Sequence, residues 1–274
     1  MMFYGLFTIY SIKQDGYSIA TRATYRGNMK TILITGCSSG FGFETANYFL
    51  SKGWRVIATM RNTADSLLQE SERLRILPLD VSDISSIENV VALAGPIDVL
   101  VNNAGIGMMG ALEGTTTETI HDLFAVNVLG TLNVTKAFLP LFRAQQSGVI
   151  INISSAITLT PLPLLSVYTA SKAAINAFTE SLAIELEQFN IRVNLVLPGR
   201  APATRFGENS KPRMATAIPQ PYAEYAQSVF KERNDDHITH PRDVINAIWQ
   251  TATDSNCPMK IVAGDDAKSM VQDT

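Results

Sequence analysis

From Lys30 onward, seven short, almost continuously apolar runs alternate with longer stretches whose apolar positions recur at helical spacing. The runs are KTILIT (30–35), WRVIATM (54–60), LRILPLD (74–80), IDVLVNN (97–103), GVIINIS (148–154), IRVNLVLP (191–198) and MKIVAG (259–264). Parallel strands covered on both faces have this character, because neither face can be polar. Between them lie FETANYFLSKG, TIHDLFAVNVLGTLNVTKAFLPLFRAQ and SVYTASKAAINAFTESLAIELEQF, each long enough for a helical crossover. The alternation predicts one α/β, doubly wound domain over residues 29–274 with right-handed crossovers, and shows no internal repeat or low-complexity linker. Residues 199–240 break the rhythm with four prolines and several polar clusters before PRDVINAIWQTA resumes a helix. A long excursion after a strand end reads as a loop covering a substrate.

Composition narrows the class. The 274 residues are 46% apolar and 17% charged with net charge −3, which excludes disorder and gives no basic footprint for nucleic acid. Two cysteines, Cys37 and Cys257, are too few for a disulfide framework and fit a reducing, cytoplasmic setting. No apolar run approaches the ~20 residues of a membrane span. Residues 1–28 have an apolar start without a basic segment or cleavage site, and read as a flexible N-terminal extension before MKTILITG.

The first run ends in TGCSSGFG (35–42), where Gly36, Gly40 and Gly42 allow a tight turn into a helix whose free N–H groups suit a pyrophosphate. Cys37 within it reads as a small filler. The second run ends with Met60 where NAD-preferring proteins commonly carry an acid, and Arg61 follows, suited to the 2′-phosphate of NADP. Ser39, where a second basic group often helps, is neutral. Tyr168 and Lys172 share a helical face at i,i+4; alone, this pair is either an ordinary surface contact or a proton-transfer couple. His237 and His240 lack the further ligands of a metal site, and His121 reads as a surface residue. Met108 and Met109 suit an apolar pocket wall.

Taken together in order, TGCSSGFG, LDV (79–81), NNAG (102–105), Asn127 in FAVNVLG, NISS (152–155), YTASK (168–172) and PG (198–199) resemble the classical short-chain dehydrogenase/reductase family over residues 30 to about 264. The resemblance implies a Rossmann-type domain with a seven-stranded parallel sheet in the order 3-2-1-4-5-6-7, a catalytic set of Asn127, Ser155, Tyr168 and Lys172, and a homodimer or homotetramer built on two long helices. For the dinucleotide it implies contacts from Gly36, Ser39, Gly40, Phe41, Gly42, Asp80, Val81, Asn102, Ala104, Gly105, Tyr168, Lys172, Pro198 and Gly199, with Arg61 selecting NADP(H). Asp80 would meet the adenine, Asn102 with its NAG partners would shape the adenosine pocket, Asn127 would hold a helix kink and a water for proton relay, and Lys172 would hold the ribose and lower the Tyr168 phenol. Ser155, rather than the inward-facing Ser154, would bond the substrate oxygen. The chain departs from the family at PGRAPAT, where Ala203 takes the usual threonine place and Thr204 follows, and its end resembles the VG-D-A of steroid and retinol relatives. The expected activity is NADPH-dependent exchange between a carbonyl and an alcohol on a small or apolar substrate, without a metal or membrane. An NAD-linked sugar or hydroxysteroid dehydrogenase and a non-catalytic dinucleotide sensor are the alternatives.

Overall fold

The protein is described by a computed structural model that covers residues 29–214, 217–231 and 237–272. The expected extension at 1–28 lies outside the described residues. Each apolar run contains one strand: β1 (Thr31–Thr35), β2 (Arg55–Met60), β3 (Leu74–Pro78), β4 (Val99–Asn102), β5 (Gly148–Ile153), β6 (Ile191–Pro198) and β7 (Lys260–Ala263). All pair in parallel, in the order β3-β2-β1-β4-β5-β6-β7, as expected. Successive side chains leave a strand on opposite faces, so both sides of the sheet are apolar. Ile32, Ile34, Val56 and Ala58 face α1 (Gly40–Ser51) and α8 (Pro241–Thr253). Leu33, Ile57, Leu100 and Ile150 face the other layer, formed by α2 (Ile84–Ala94), α4 (Thr131–Gln145) and α5 (Ser166–Glu187).

One element shows the kink implied at Asn127, and another differs from the sequence expectation. The stretch 117–145 is not one regular helix but α3 (Thr117–Phe124), a π-helical turn at Ala125–Gly130, and α4. Its length and hydropathy would suit a membrane span, yet Leu123, Val134, Phe138 and Phe142 are buried in the core. Within the excursion 199–240 the described residues form helices rather than a loop alone. The excursion carries α6 (Phe206–Met214) and α7 (Ala223–Lys231), whose apolar residues pack on the segment after β4 and on residues before α5. Two backbone bonds fix that contact, Gly110 N–H to the Leu164 carbonyl and Ala111 N–H to that of Ala217, both at 2.8 Å. A last helix, α9 (Asp265–Gln272), follows β7.

The strand order reverses between β1 and β4, so the crossovers on either side diverge and leave a crevice at the carboxyl ends of these strands. The glycine turn, the NNAG segment and the head of α5 all open onto it.

Candidate active site

The glycine turn is closed from within by Asn103 and Thr35. The Asn103 amide donates to the carbonyls of Thr35 (2.8 Å) and Gly36 (3.1 Å), while the Thr35 hydroxyl accepts from the backbone of Asn103 (3.0 Å) and Ala104 (2.9 Å). Gly36 has φ +75°, and a Cβ there would lie 2.8 Å from the Ala104 Cα. A Cβ on Gly42 would meet the Asn103 amide at 2.6 Å. The turn therefore needs both glycines for backbone to approach backbone. Ser39, the N-cap of α1, makes no side-chain capping bond, so the first N–H groups of the helix are left for a ligand. That cradle fits a dinucleotide pyrophosphate. Phe41, in the first turn, packs its ring on the core. Cys37 is fully buried, donates to the Ile34 carbonyl, and has its thiol pushed up to about 12 by burial, as an inert filler should.

Asn127 sits in the π-helical turn and is buried. Its Oδ1 accepts from Ile106 N–H (2.8 Å), and its Nδ2 donates to the Ile106 carbonyl (2.9 Å) and to Ser171 Oγ (3.2 Å). The turn is thus bonded to both the β4 loop and α5. Gly105 lies within this set: a Cβ on it would be 3.2 Å from Asn127 Oδ1 and 3.5 Å from Lys172 Nζ. Lys172 is buried, with Nζ donating to the Ile153 carbonyl at 2.9 Å. Ser155 follows β5, bonds Tyr168 through its side chain, and approaches the Pro198 carbonyl at 3.5 Å. Ser154 turns inward, donating to Asn176 Oδ1 at 2.6 Å. The four expected residues are therefore brought to one place.

The electrostatics differ from expectation. Burial pushes the Tyr168 phenol up to about 12, only partly opposed by its bond with Ser155. Burial brings Lys172 down to about 8. The phenol therefore lies above its ordinary value rather than below it, while the Lys172 Nζ donates to the Ile153 carbonyl.

Asn102 also departs from its expected role. Its side chain is buried and donates to Thr135 Oγ1 (2.9 Å) and Asn152 Oδ1 (2.8 Å), tying β4 to α4 and β5 rather than lining the adenosine side. The neighbouring Asn103 holds the turn. Only strand alternation separates the two, and locating the last residue of β4 is what would have distinguished them. At the far end of the crevice Met60 is buried and Arg61 exposed, close enough to Asp80 to draw its carboxyl down. The larger cause of that lowering is the Ser82 hydroxyl, 2.6 Å from Asp80 Oδ1. Val81 is buried against the start of α4, where it crowds Gly130. Gly199 follows Pro198 at the end of β6. Thr204, one place past the usual threonine, lies over Gly40, so the shifted spacing still delivers a threonine to the glycine turn.

From α6, Phe206 stacks obliquely on Tyr168, with ring centroids 6.0 Å apart, and fills the space beside Gly107. Met108, Val167 and Ala217 complete an apolar wall around Tyr168, and Met109 packs beneath Met214 and Tyr222. Arg213 donates Nε to the Gly107 carbonyl at 3.0 Å. Phe206 and Arg213 carry no local sequence signal, since their segment reads as polar. Among the described residues no group of three or more His, Cys, Asp or Glu converges as a metal site.

The profile of the short chain dehydrogenase family matches residues 30–214. The chain is 36% identical over 239 residues to a 3-ketodihydrosphingosine reductase of Bacteroides thetaiotaomicron, covering 85% of this chain and 87% of that one. In fold it is similar to a short-chain dehydrogenase from Streptomyces avermitilis, with a TM-score of 0.76 and 32% identity over 90% of this chain and 92% of the other. A short-chain dehydrogenase from Burkholderia cenocepacia in complex with NADP matches with a TM-score of 0.73 and 26% identity, over 89% and 92% of the two chains.

The depressed Lys172 has a consequence for stability. The unfolded chain keeps this lysine near its ordinary 10.5, whereas the folded protein releases the proton near 8. Between these values the unfolded state holds more protons. Folding should therefore gain on the order of 2–4 kcal/mol as pH rises from about 8 to about 10.5, and lose it as pH falls through about 8. Urea unfolding of wild type and Lys172→Met across that range should show the difference growing with pH. A flat difference would mean that the ammonium is solvated.

Proposed function

The chain belongs to the classical short-chain dehydrogenase/reductase family, and from that premise we propose that it is an NADP(H)-dependent carbonyl reductase acting on an apolar ketone or aldehyde. The observation that carries the reading is that Asn127 and Lys172 both border Gly105, while Tyr168, one helical turn from Lys172, is bonded by Ser155. A dinucleotide sensor has no need of such a set.

Bound NADPH supplies the hydride. Ser155 and Tyr168 orient the substrate oxygen through their hydroxyls. As negative charge builds there, the Tyr168 hydroxyl gives up its proton. Burial keeps the phenol protonated at neutral pH, so its proton is given up only as negative charge develops on the substrate oxygen. The phenolate left behind needs a cation, and Lys172 lies one helical turn away. Lys172 Nζ, which donates to the Ile153 carbonyl, would hold the ribose hydroxyls of the bound cofactor. Asn127 keeps the loop, the π-helical turn and α5 in register and lies on the route by which the proton is replaced.

Arg61 and the neutral Met60 support a choice of NADP(H): the arginine offers a fork of donors to the 2′-phosphate, and no acid at the strand end repels it. The similar NADP-bound dehydrogenase supports the same reading. The wall of Met108, Val167, Phe206 and Ala217 favours an apolar substrate, in keeping with the lipid ketone named for the Bacteroides relative. Exposed Leu129 and Ile184, on the outer faces of the π-helical turn and α5, support self-association as a dimer or tetramer.

Tyr168→Phe should leave folding and NADPH binding intact while reduction of an apolar ketone, followed by absorbance at 340 nm, drops about 10²–10⁴-fold. Undiminished turnover in the folded variant would mean another group delivers the proton. Arg61→Ala should weaken NADPH by roughly ten- to a hundredfold and NADH little, seen as a changed ratio of kcat/KM values. An unchanged ratio would place this arginine in solvent and end the NADP reading. Light scattering at micromolar concentration should give at least a dimer; a monomer would contradict the assembly.

A further inference from the structure

The excursion that covers Tyr168 leaves the sheet at Gly199–Arg200 and returns at Thr239. Both ends meet at one carboxylate. Asp266, in the first turn of α9, accepts the Arg200 N–H on Oδ2 (2.6 Å) and the Thr239 hydroxyl on Oδ1 (2.7 Å). That hydroxyl in turn accepts the Gly199 N–H at 2.9 Å, and the Thr239 N–H returns to the Arg200 carbonyl at 2.8 Å. Thr239 is fully buried. The polar chain therefore runs from the Gly199 amide through a hydroxyl to a carboxylate, whose other oxygen holds the next amide. Bonds to an ionised acceptor are the stronger kind.

The surrounding glycines are explained by the same contact. A Cβ on Gly199 would run into the Asp266 carboxylate, and one on Gly264, which has φ +106°, would run into Thr239 Oγ1. Glycine at both places lets two loops close on the aspartate. Ordinary loops do not need a buried hydroxyl and a shared carboxylate at their neck, because water satisfies their amides.

We propose that Asp266 and Thr239 are positioning residues, forming a clasp that closes the neck of the 199–240 excursion and fixes the Pro198–Gly199 turn beside the cofactor. The Ser155 hydroxyl approaches the Pro198 carbonyl at 3.5 Å, so the same turn borders the reacting centre. This inference rests on the reading that the crevice binds NADPH and the excursion covers substrate. Its effect is on binding. Ser155, Tyr168 and Lys172 are held by β5 and α5 without the clasp, and loosening it should raise KM while sparing the chemical step.

The test compares full-length wild type with Thr239→Val, Asp266→Ala and the conservative Thr239→Ser. Amide hydrogen exchange over residues 198–214 is measured without cofactor, and kcat and KM are measured for NADPH and a long-chain aliphatic ketone. Exchange should quicken by about tenfold in Thr239→Val and Asp266→Ala, both KM values should rise about tenfold, and kcat should stay within about threefold, with Thr239→Ser close to wild type. Unchanged exchange would overturn the clasp. So would faster exchange with wild-type KM values, or a fall confined to kcat. If wild type reduces no carbonyl, the functional reading fails, yet the exchange comparison still decides whether the clasp holds the neck. Should Asp266→Ala not fold, Thr239→Val, which removes one hydroxyl from a buried site, carries the comparison alone.

Discussion

A single side-chain amide holds the site together. Asn127 accepts from the N–H of Ile106 and donates to its carbonyl, so the backbone of one residue satisfies both ends of one amide, and the remaining Nδ2 proton reaches Ser171 on α5. The loop after β4, the π-helical turn and the helix bearing Tyr168 and Lys172 are thereby locked in register. Each bond contributes about 0.5–1.5 kcal/mol net, but losing the amide would strand buried partners at about 1–3 kcal/mol apiece. The π-helical turn belongs to the same arrangement: Thr131 Oγ1 donates to the Asn127 carbonyl at 3.0 Å, bonding the widened turn to the start of α4. Such turns recur where a helix must present a side chain that regular winding would misplace.

Around this lock, burial and chemistry pull in opposite directions. The apolar enclosure suited to a hydrophobic substrate is the same enclosure that raises the Tyr168 phenol and depresses Lys172. For reduction the conflict is mild. A protonated phenol is the form required at the start, and the cation matters only as charge develops.

Much of this was legible in the sequence, for identifiable reasons. All seven strands lie inside the apolar runs because a parallel sheet buried on both faces leaves no ambiguity of period. The motif residues Ser155, Tyr168, Lys172 and Asn127 meet as expected because each follows a strand end or lies on a helix bordering the crevice. The interruption at Asn127 was legible only through the family resemblance, since AVNVLG itself keeps the apolar spacing of its neighbours. Helix α6 was not legible: FGENSKPRM is polar and contains a proline, and its helix is anchored by Phe206 on Tyr168 rather than by propensity. Asn102 was given a pocket role that its burial between β4, β5 and α4 does not support, because one step of strand alternation decides which asparagine faces inward. The link between Thr239 and Asp266 spans 27 positions with no local pattern to mark it. The Tyr168 shift depends on depth of burial, which spacing along a helix does not report.

The geometry thus places an acid, a cation and a glycine cradle around one crevice, and the central claim is that hydride passes there from cofactor to carbonyl carbon. The most direct measurement is the fate of a label. NADPH deuterated at the transferable position of its nicotinamide is incubated with the protein and an apolar ketone, and the alcohol is analysed by mass spectrometry and NMR. The account predicts deuterium on the former carbonyl carbon, with one atom transferred for each NADPH consumed. Alcohol formed without deuterium at that carbon, or NADPH bound but never consumed with any apolar carbonyl, would contradict it.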